Sequence, residues 1–180
     1  LKVLENYEDA LSFPEVEALI ITSPNDLHDE QVVQAASAGK HVFCEKPLSL
    51  SAAGAKASIK ACRTAGLILG IGHERRFEPA ILALRKLLDD GAVGTVMHTE
   101  MAFSHDKLIG LTSDSWRTTS AFAPAAGMTQ MGIHLTDLLI SFYGPVTSLH
   151  DITADRRLGA ETGAVVTVKL QLKPMLPATL

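Results

Sequence analysis

Three short apolar runs, at residues 18–22, 41–44 and 67–71, recur along the first part of the chain with a helix-length segment between each pair. Gly39 and Gly66 close the two intervening segments, as glycine does where a helix must turn into a left-handed cap. Strand, helix, strand, helix, strand with short joints admits one economical arrangement: right-handed crossovers joining a parallel sheet. The first run, Ala18-Leu19-Ile20-Ile21-Thr22, is apolar without alternation, which predicts a strand covered on both faces. This pattern excludes all-α and all-β architectures for the first 74 residues.

Finer signals agree with that frame. Residues 1–17 are short and polar and predict a helix and a turn. Ser23-Pro24-Asn25 breaks the first strand, and Asn25 or Asp26 is placed to cap the next helix, with Asp29 and Glu30 near its positive end. Val32, Val33, Ala35 and Ala36 supply its apolar face. A further helix is expected over 51–65. After Gly72 the pattern changes. Ile81, Leu84, Leu87 and Leu88 predict an amphipathic helix over 76–88. Residues 93–103 read as a strand with Met97, Met101 and Phe103 on one face and His98 and Glu100 on the other. Residues 104–122 have little periodicity and read as a long loop. A helix over 127–143 has Met131, Leu135, Leu138 and Phe142 as its core stripe. Val166, Val168, Leu170 and Leu172 then alternate with Thr167, Lys169, Gln171 and Lys173, the mark of an antiparallel strand with one wet face. The fold class is therefore α/β over residues 1–74, followed by part of an α+β domain with a largely antiparallel sheet over 75–180.

Composition narrows the partners. A net charge of −4 with no block of Lys or Arg argues against nucleic acid and against an anionic membrane surface. No apolar run is long enough to span a bilayer. The two cysteines, Cys44 and Cys62, lack metal-ligand spacing and form no disulfide framework. They read as buried structural thiols in a reducing, cytoplasmic compartment, and no metal site is expected.

Chemistry concentrates where the second strand ends. Pro47 cannot continue a ladder, so Glu45 and Lys46 stand at the carboxyl end of a strand, the edge at which open parallel sheets bind ligands. On their own they read first as a surface ion pair. His134, with an unperturbed pKa of about 6.5, is the residue type best suited to accept a proton near neutrality. At helical spacing Gln130, His134 and Asp137 fall on one flank, where Asp137 is placed to orient the ring. The alternative is a helix-surface histidine with polar neighbours. Ser23, Pro24, Asn25 and His28 read as a turn and cap or as a ligand contact. Trp116 and Arg117 read as a loop pin or a ligand contact, and Arg75 and Arg76 as anion contacts or salt bridges.

Taken together, Gly39-Lys40-His41-Val42 with Glu45-Lys46-Pro47 resembles the signature of the Gfo/Idh/MocA oxidoreductase family. Ser23-Pro24-Asn25 with His28, Arg75-Arg76-Phe77, Trp116-Arg117, and Gly132-Ile133-His134 with Asp137 follow in matching order. The resemblance implies a Rossmann-type dinucleotide-binding portion and an NAD- or NADP-dependent enzyme oxidising a sugar, cyclitol or related alcohol. It implies that Lys46 touches nicotinamide and substrate and that Ser23, Pro24, Asn25, His28, Glu45, Arg76, Trp116 and Arg117 line the cofactor. The catalytic set becomes Lys46, His134, Gln130 and Asp137. A homo-oligomer through the second sheet is also expected. Family members begin with a glycine fingerprint, G-x-G-x-x-G. Here Gly70-Ile71-Gly72 is followed by Arg75 where the third glycine should stand, so the chain is expected to be an internal piece of a longer protein. Many sugar dehydrogenases of the family carry aspartate where this chain has Gln130, which cannot ionise and which bears on the substrate. The same scaffold also hosts NAD-dependent glycoside hydrolases and non-catalytic sensors.

Overall fold

The computed structural model describes residues 3–104, 115, 119–125, 127–155, 165–173 and 176–180. The chain divides into two compact units, Leu1–Gly72 and His73–Leu180.

The first unit opens with α1 (Tyr7–Ser12), capped by Asn6, whose side chain accepts from the Asp9 amide. Then come β1 (Ala18–Ile21), α2 (His28–Ser37), β2 (His41–Cys44), α3 (Ala52–Thr64) and β3 (Leu69–Ile71). The strands form a parallel sheet in the order β1-β2-β3. This is the crossover topology expected from the three runs, with β2 in the middle. The α2 cap shows how the chain is turned back. Gly39, at φ 72°, donates to Ala36 O, and Lys40 donates to Ala35 O, closing the helix and aiming the chain into β2.

One expectation fails at the start of α2. Neither Asn25 nor Asp26 caps it; a 3-10 turn, Asn25–Leu27, runs directly into His28, and no side chain caps either element. The short turn performs the capping role itself, with Leu27 N–H donating to Pro24 O at 3.0 Å.

The core lies on one face of the sheet. Ile21, Val42 and Cys44 meet Val32, Ala35 and Ala36 of α2 and Cys62 of α3. Consecutive right-handed crossovers put both helices on that face. The expectation that the first strand is covered on both sides is met on one side within these residues: Ile20 of β1 is 75% exposed on the opposite face, as is Phe43 of β2 at 43%. The two helices approach closely at Gly54. A Cβ there would lie 1.9 Å from Asp29 Oδ2, which accepts the Ser49 hydroxyl at 2.7 Å.

The second unit contains a 3-10 turn (Glu74–Phe77), α4 (Pro79–Asp89), β4 (Thr99–Glu100), a π-helical turn (Met128–Gly132), α5 (Ile133–Tyr143), β5 (Val146–Asp155), β6 (Val165–Leu172) and β7 (Leu176–Thr179). The helix expected from 76 starts at Pro79, a residue suited to the first helical position. The strand expected over 93–103 is reduced to Thr99–Glu100, and Met97 is exposed. The sheet runs β4-β7-β6-β5, antiparallel except for the β4–β7 pair. The alternation read in β6 is observed: Val168, Leu170 and Leu172 are buried with Leu139, Leu176 and Ala178. On α5 the buried stripe is His134, Leu138 and Leu139, with Met131, Leu135 and Phe142 only half-buried. Of these, Met131 lies in the π turn that precedes α5.

Candidate active site

In the first unit the sequence-predicted residues gather at the carboxyl ends of β1 and β2. Lys46 follows the middle strand and is half-buried, and its peptide bond to Pro47 is cis. Glu45 N–H donates to Ile21 O at 2.9 Å, and Gly72 N–H donates to Cys44 O at 2.9 Å, so the sheet ladder holds right up to Lys46. Glu45 turns its carboxylate back on its own neighbour, accepting from Lys46 N–H at 3.1 Å. That carboxylate also occupies the space beside Gly72, where a Cβ would come within 2.9 Å of it. Glu45 therefore packs within the strand end.

Ser23 donates its hydroxyl to Gln31 Oε1 at 2.6 Å, Pro24 is exposed, and Asn25 is buried. His28 is fully buried, with Nδ1 2.6 Å from Pro47 O and Nε2 2.8 Å from Ser23 O. Both ring nitrogens thus lie against main-chain carbonyls. The Cys44 thiol, also buried, has its pKa pushed up to about 12 by burial and then by the charges of Glu45 and Asp29.

In the second unit His134 is 4% exposed in the first turn of α5, and its Nδ1 lies 3.8 Å from Glu74 Oε2. Asp137, expected beside this ring, receives the guanidinium of Arg76 with both carboxylate oxygens, Nε donating at 2.6 Å to Oδ2 and Nη2 to Oδ1. This contact holds the Arg76 pKa above its ordinary value. The planar fork of an arginine matches a carboxylate in a way an imidazole does not, so Asp137 and Arg76 take each other. His73 Nε2 lies 3.8 Å from the same Asp137. Arg75 bonds Glu78 at 2.9 Å and lies over the Phe103 ring. Gln130 lies within the π turn, half-buried. Trp116 and Arg117 lie outside the described residues.

Sequence reasoning missed Glu74, Gly70 and Gly72. Glu74 precedes the paired arginines and carried no motif. The two glycines showed only as a partial fingerprint. Their use is different: they leave bare backbone in β3 and just past it, beneath Phe43 of β2 and Glu45 after it. A further open groove of about 750 Å³ in the second unit, lined by Leu88, Met97, Phe142, Tyr143 and Leu176, contains none of the predicted site residues. Among the described residues no cluster of His, Cys, Asp or Glu is arranged to hold a metal ion. Nor, among them, is any helix long and apolar enough to cross a membrane.

The strand-end residues of the first unit fit part of a dinucleotide. Asn25 offers an amide and Lys46 a cation at the sheet edge that binds ligands. The described helices of this unit start after Asn6, Leu27 and Ser51, with no glycine-backed cradle for a pyrophosphate.

Residues 1–73 match the model described as oxidoreductase family, NAD-binding Rossmann fold, and residues 81–175 match the GFO/IDH/MocA C-terminal domain. An uncharacterized oxidoreductase of Schizosaccharomyces pombe is 31% identical over 158 residues, covering 87% of this chain and 42% of the relative. A 1,5-anhydro-D-fructose reductase of Ensifer adhaerens is 38% identical over 93 residues, 52% of this chain and 28% of that protein. A crystal structure described as a putative NADPH-dependent oxidoreductase from Desulfitobacterium hafniense superposes with a TM-score of 0.89 at 31% identity, covering 96% of this chain and 50% of that one. The chain thus spans half or less of the length of these three proteins. With both halves matched in order, the chain belongs to the Gfo/Idh/MocA family of NAD(P)-dependent oxidoreductases.

Proposed function

We propose that the protein is an NAD(P)-dependent dehydrogenase for a sugar, cyclitol or related secondary alcohol, with Lys46 aligning the substrate oxygen and His134 exchanging its proton. The observation that carries this reading is the position of Lys46, half-buried at the carboxyl end of the middle strand of a parallel sheet whose sequence matches the NAD-binding model.

The nicotinamide, when bound, supplies the hydride acceptor or donor. The chain's own residues supply the rest. Oxidising an alcohol leaves negative charge on its oxygen, and an ammonium held by a rigid strand end stabilises that charge without reorganising. Asn25, buried one turn into the neighbouring loop, holds the ribose and nicotinamide side. His134 takes the hydroxyl proton in oxidation and returns it in reduction. Burial of its ring excludes competing water, and the Glu74 carboxylate near Nδ1 favours the imidazolium that forms. Gln130 contributes hydrogen bonds to substrate hydroxyls without titrating. The Arg76–Asp137 pair braces α5 against the turn before α4.

The kinship to a 1,5-anhydro-D-fructose reductase supports a carbohydrate-like substrate. The test is net reduction of NAD or NADP by the full-length protein across a panel of sugars and cyclitols, with Lys46→Met as control. Replacing the ammonium should lower kcat by about 10²-fold or more with folding intact. Turnover within a few-fold of the unmodified protein would remove Lys46 from the mechanism.

A further inference from the structure

We infer that Gln31 is a positioning residue: it takes the proton of the Ser23 hydroxyl and so makes Ser23 an acceptor at the sheet edge, matched to a hydrogen-bond donor of the dinucleotide and not to its phosphates. The inference rests on the reading above that the strand-end residues of the first unit line the cofactor, and it requires no particular substrate.

Ser23 lies just past the end of β1, at the edge where parallel sheets hold ligands, and is half-buried. Its hydroxyl donates to Gln31 Oε1 at 2.6 Å. That length belongs to an O–H···O bond, whereas an amide N–H donating to oxygen sits near about 2.9 Å. A hydroxyl carries one proton and two lone pairs. With the proton committed to Gln31, Ser23 has only lone pairs to offer a ligand. Ionised phosphate oxygens only accept, so they gain nothing from such a group. Ribose hydroxyls and the carboxamide N–H of the nicotinamide are donors, and they fit it.

Gln31 is well anchored for this task. It stands early in α2, and its neighbour Val32 is fully buried in the core. α1 holds it from behind, the Tyr7 hydroxyl donating to Gln31 O at 2.7 Å. A side chain held in this way sets the direction of the Ser23 hydroxyl before any ligand arrives, which spares an ordering cost on binding.

The test is the Kd of the full-length protein for NADH and NADPH, read from nicotinamide fluorescence, in Ser23→Ala, Gln31→Met and the double variant. Ser23→Ala deletes the acceptor and should weaken the tighter-bound cofactor by about three- to tenfold, the scale of one hydrogen bond. Gln31→Met keeps the length, frees the Ser23 proton to turn on the ligand, and should weaken binding by about threefold or more. Added to Ser23→Ala, Gln31→Met should cost nothing further, because it acts only through the hydroxyl. An unchanged Kd in either single variant, or a further loss in the double variant, would overturn the inference. A glutamine that merely stabilised α2 would give that further loss. Gln31→Leu takes the place of Gln31→Met should the latter not fold. Nicotinic acid adenine dinucleotide, whose carboxylate has no N–H, separates the two donors. If the carboxamide is the partner, Ser23→Ala no longer weakens binding of this analogue; if a ribose hydroxyl is, the loss persists. Both results meet the inference and name the donor. Since Kd needs no turnover, failure of the proposed alcohol oxidation and failure of this inference are read separately.

Discussion

The carboxyl group of Glu45 fills the space that a side chain at Gly72 would need, with Cδ 2.9 Å from a Cβ built there. The same relation holds two pairs earlier, on the same face, where the Phe43 ring lies 3.0 Å from a Cβ built on Gly70. Phe43 of β2 and Glu45, just past its end, thus lean over Gly70 of β3 and Gly72, just past its end. Gly72→Ala should destabilise the protein by about 1–3 kcal/mol, the usual scale for a forced methyl group. In Glu45→Ala/Gly72→Ala the second methyl should cost much less, a coupling that denaturation of the four proteins in the cycle would read. Additive losses would show that Glu45 does not occupy that space in solution.

Asp137 should act through Arg76. Asp137→Asn and Arg76→Lys each break the two-pronged contact, and both should lower stability by about 0.5 kcal/mol, a modest value because the pair is partly exposed and screened. The pH–rate profile should keep its acidic limb in both variants. Loss of that limb in Asp137→Asn alone would mean that Asp137 serves the His134 ring directly.

The buried thiol sets an alkaline limit. Cys44 holds its proton in the folded state up to about pH 12, whereas a thiol of ordinary pKa 9.0 releases it earlier once unfolded. Its contribution to stability is whole below pH 9 and drains away as pH rises from 9 toward 12. Tyr7 acts in the same sense, with its pKa raised from 10.0 to about 12 by burial first of all. Stability measured in denaturant should therefore fall above pH 9, and the fall should be shallower in Cys44→Ala. Cys44 should also resist iodoacetamide near pH 8 until the protein unfolds. Prompt alkylation of the native protein would contradict the burial argument.

Gln130 should shape binding more than chemistry. Gln130→Ala is expected to raise KM several-fold and leave the pH dependence of kcat in place, as removal of a neutral binding contact does. A large drop in kcat with unchanged KM would give Gln130 a role in the transition state.

The parts legible in sequence were those written in short-range pattern. Runs at 18–22 and 41–44, closed by Gly39, foretell β1, α2 and β2, because strand burial and a glycine cap are local facts. The alternation of Val168, Leu170 and Leu172 foretells β6 for the same reason. β5 was illegible because its register shifts, between Val146 and Ser148 and again between Leu149 and Asp151, break the period of two, and Leu149 and Ile152 are exposed. The flank assigned to Gln130, His134 and Asp137 assumed one continuous α-helix, and the π turn at Met128–Gly132 changes that geometry. Sequence spacing also could not foresee a partner 61 positions away, so Asp137 was given to the histidine on its own helix when Arg76 holds it.

The central claim, that His134 carries the proton, is tested most directly by kcat against pH for the full-length enzyme and its His134→Asn variant. Asparagine keeps a polar side chain and removes the titrating base. The account predicts a fall in kcat on the order of 10²- to 10⁴-fold and disappearance of the acidic limb. A variant that retains that limb at the same pH would contradict it and place the proton elsewhere, with Lys46 the next residue to test.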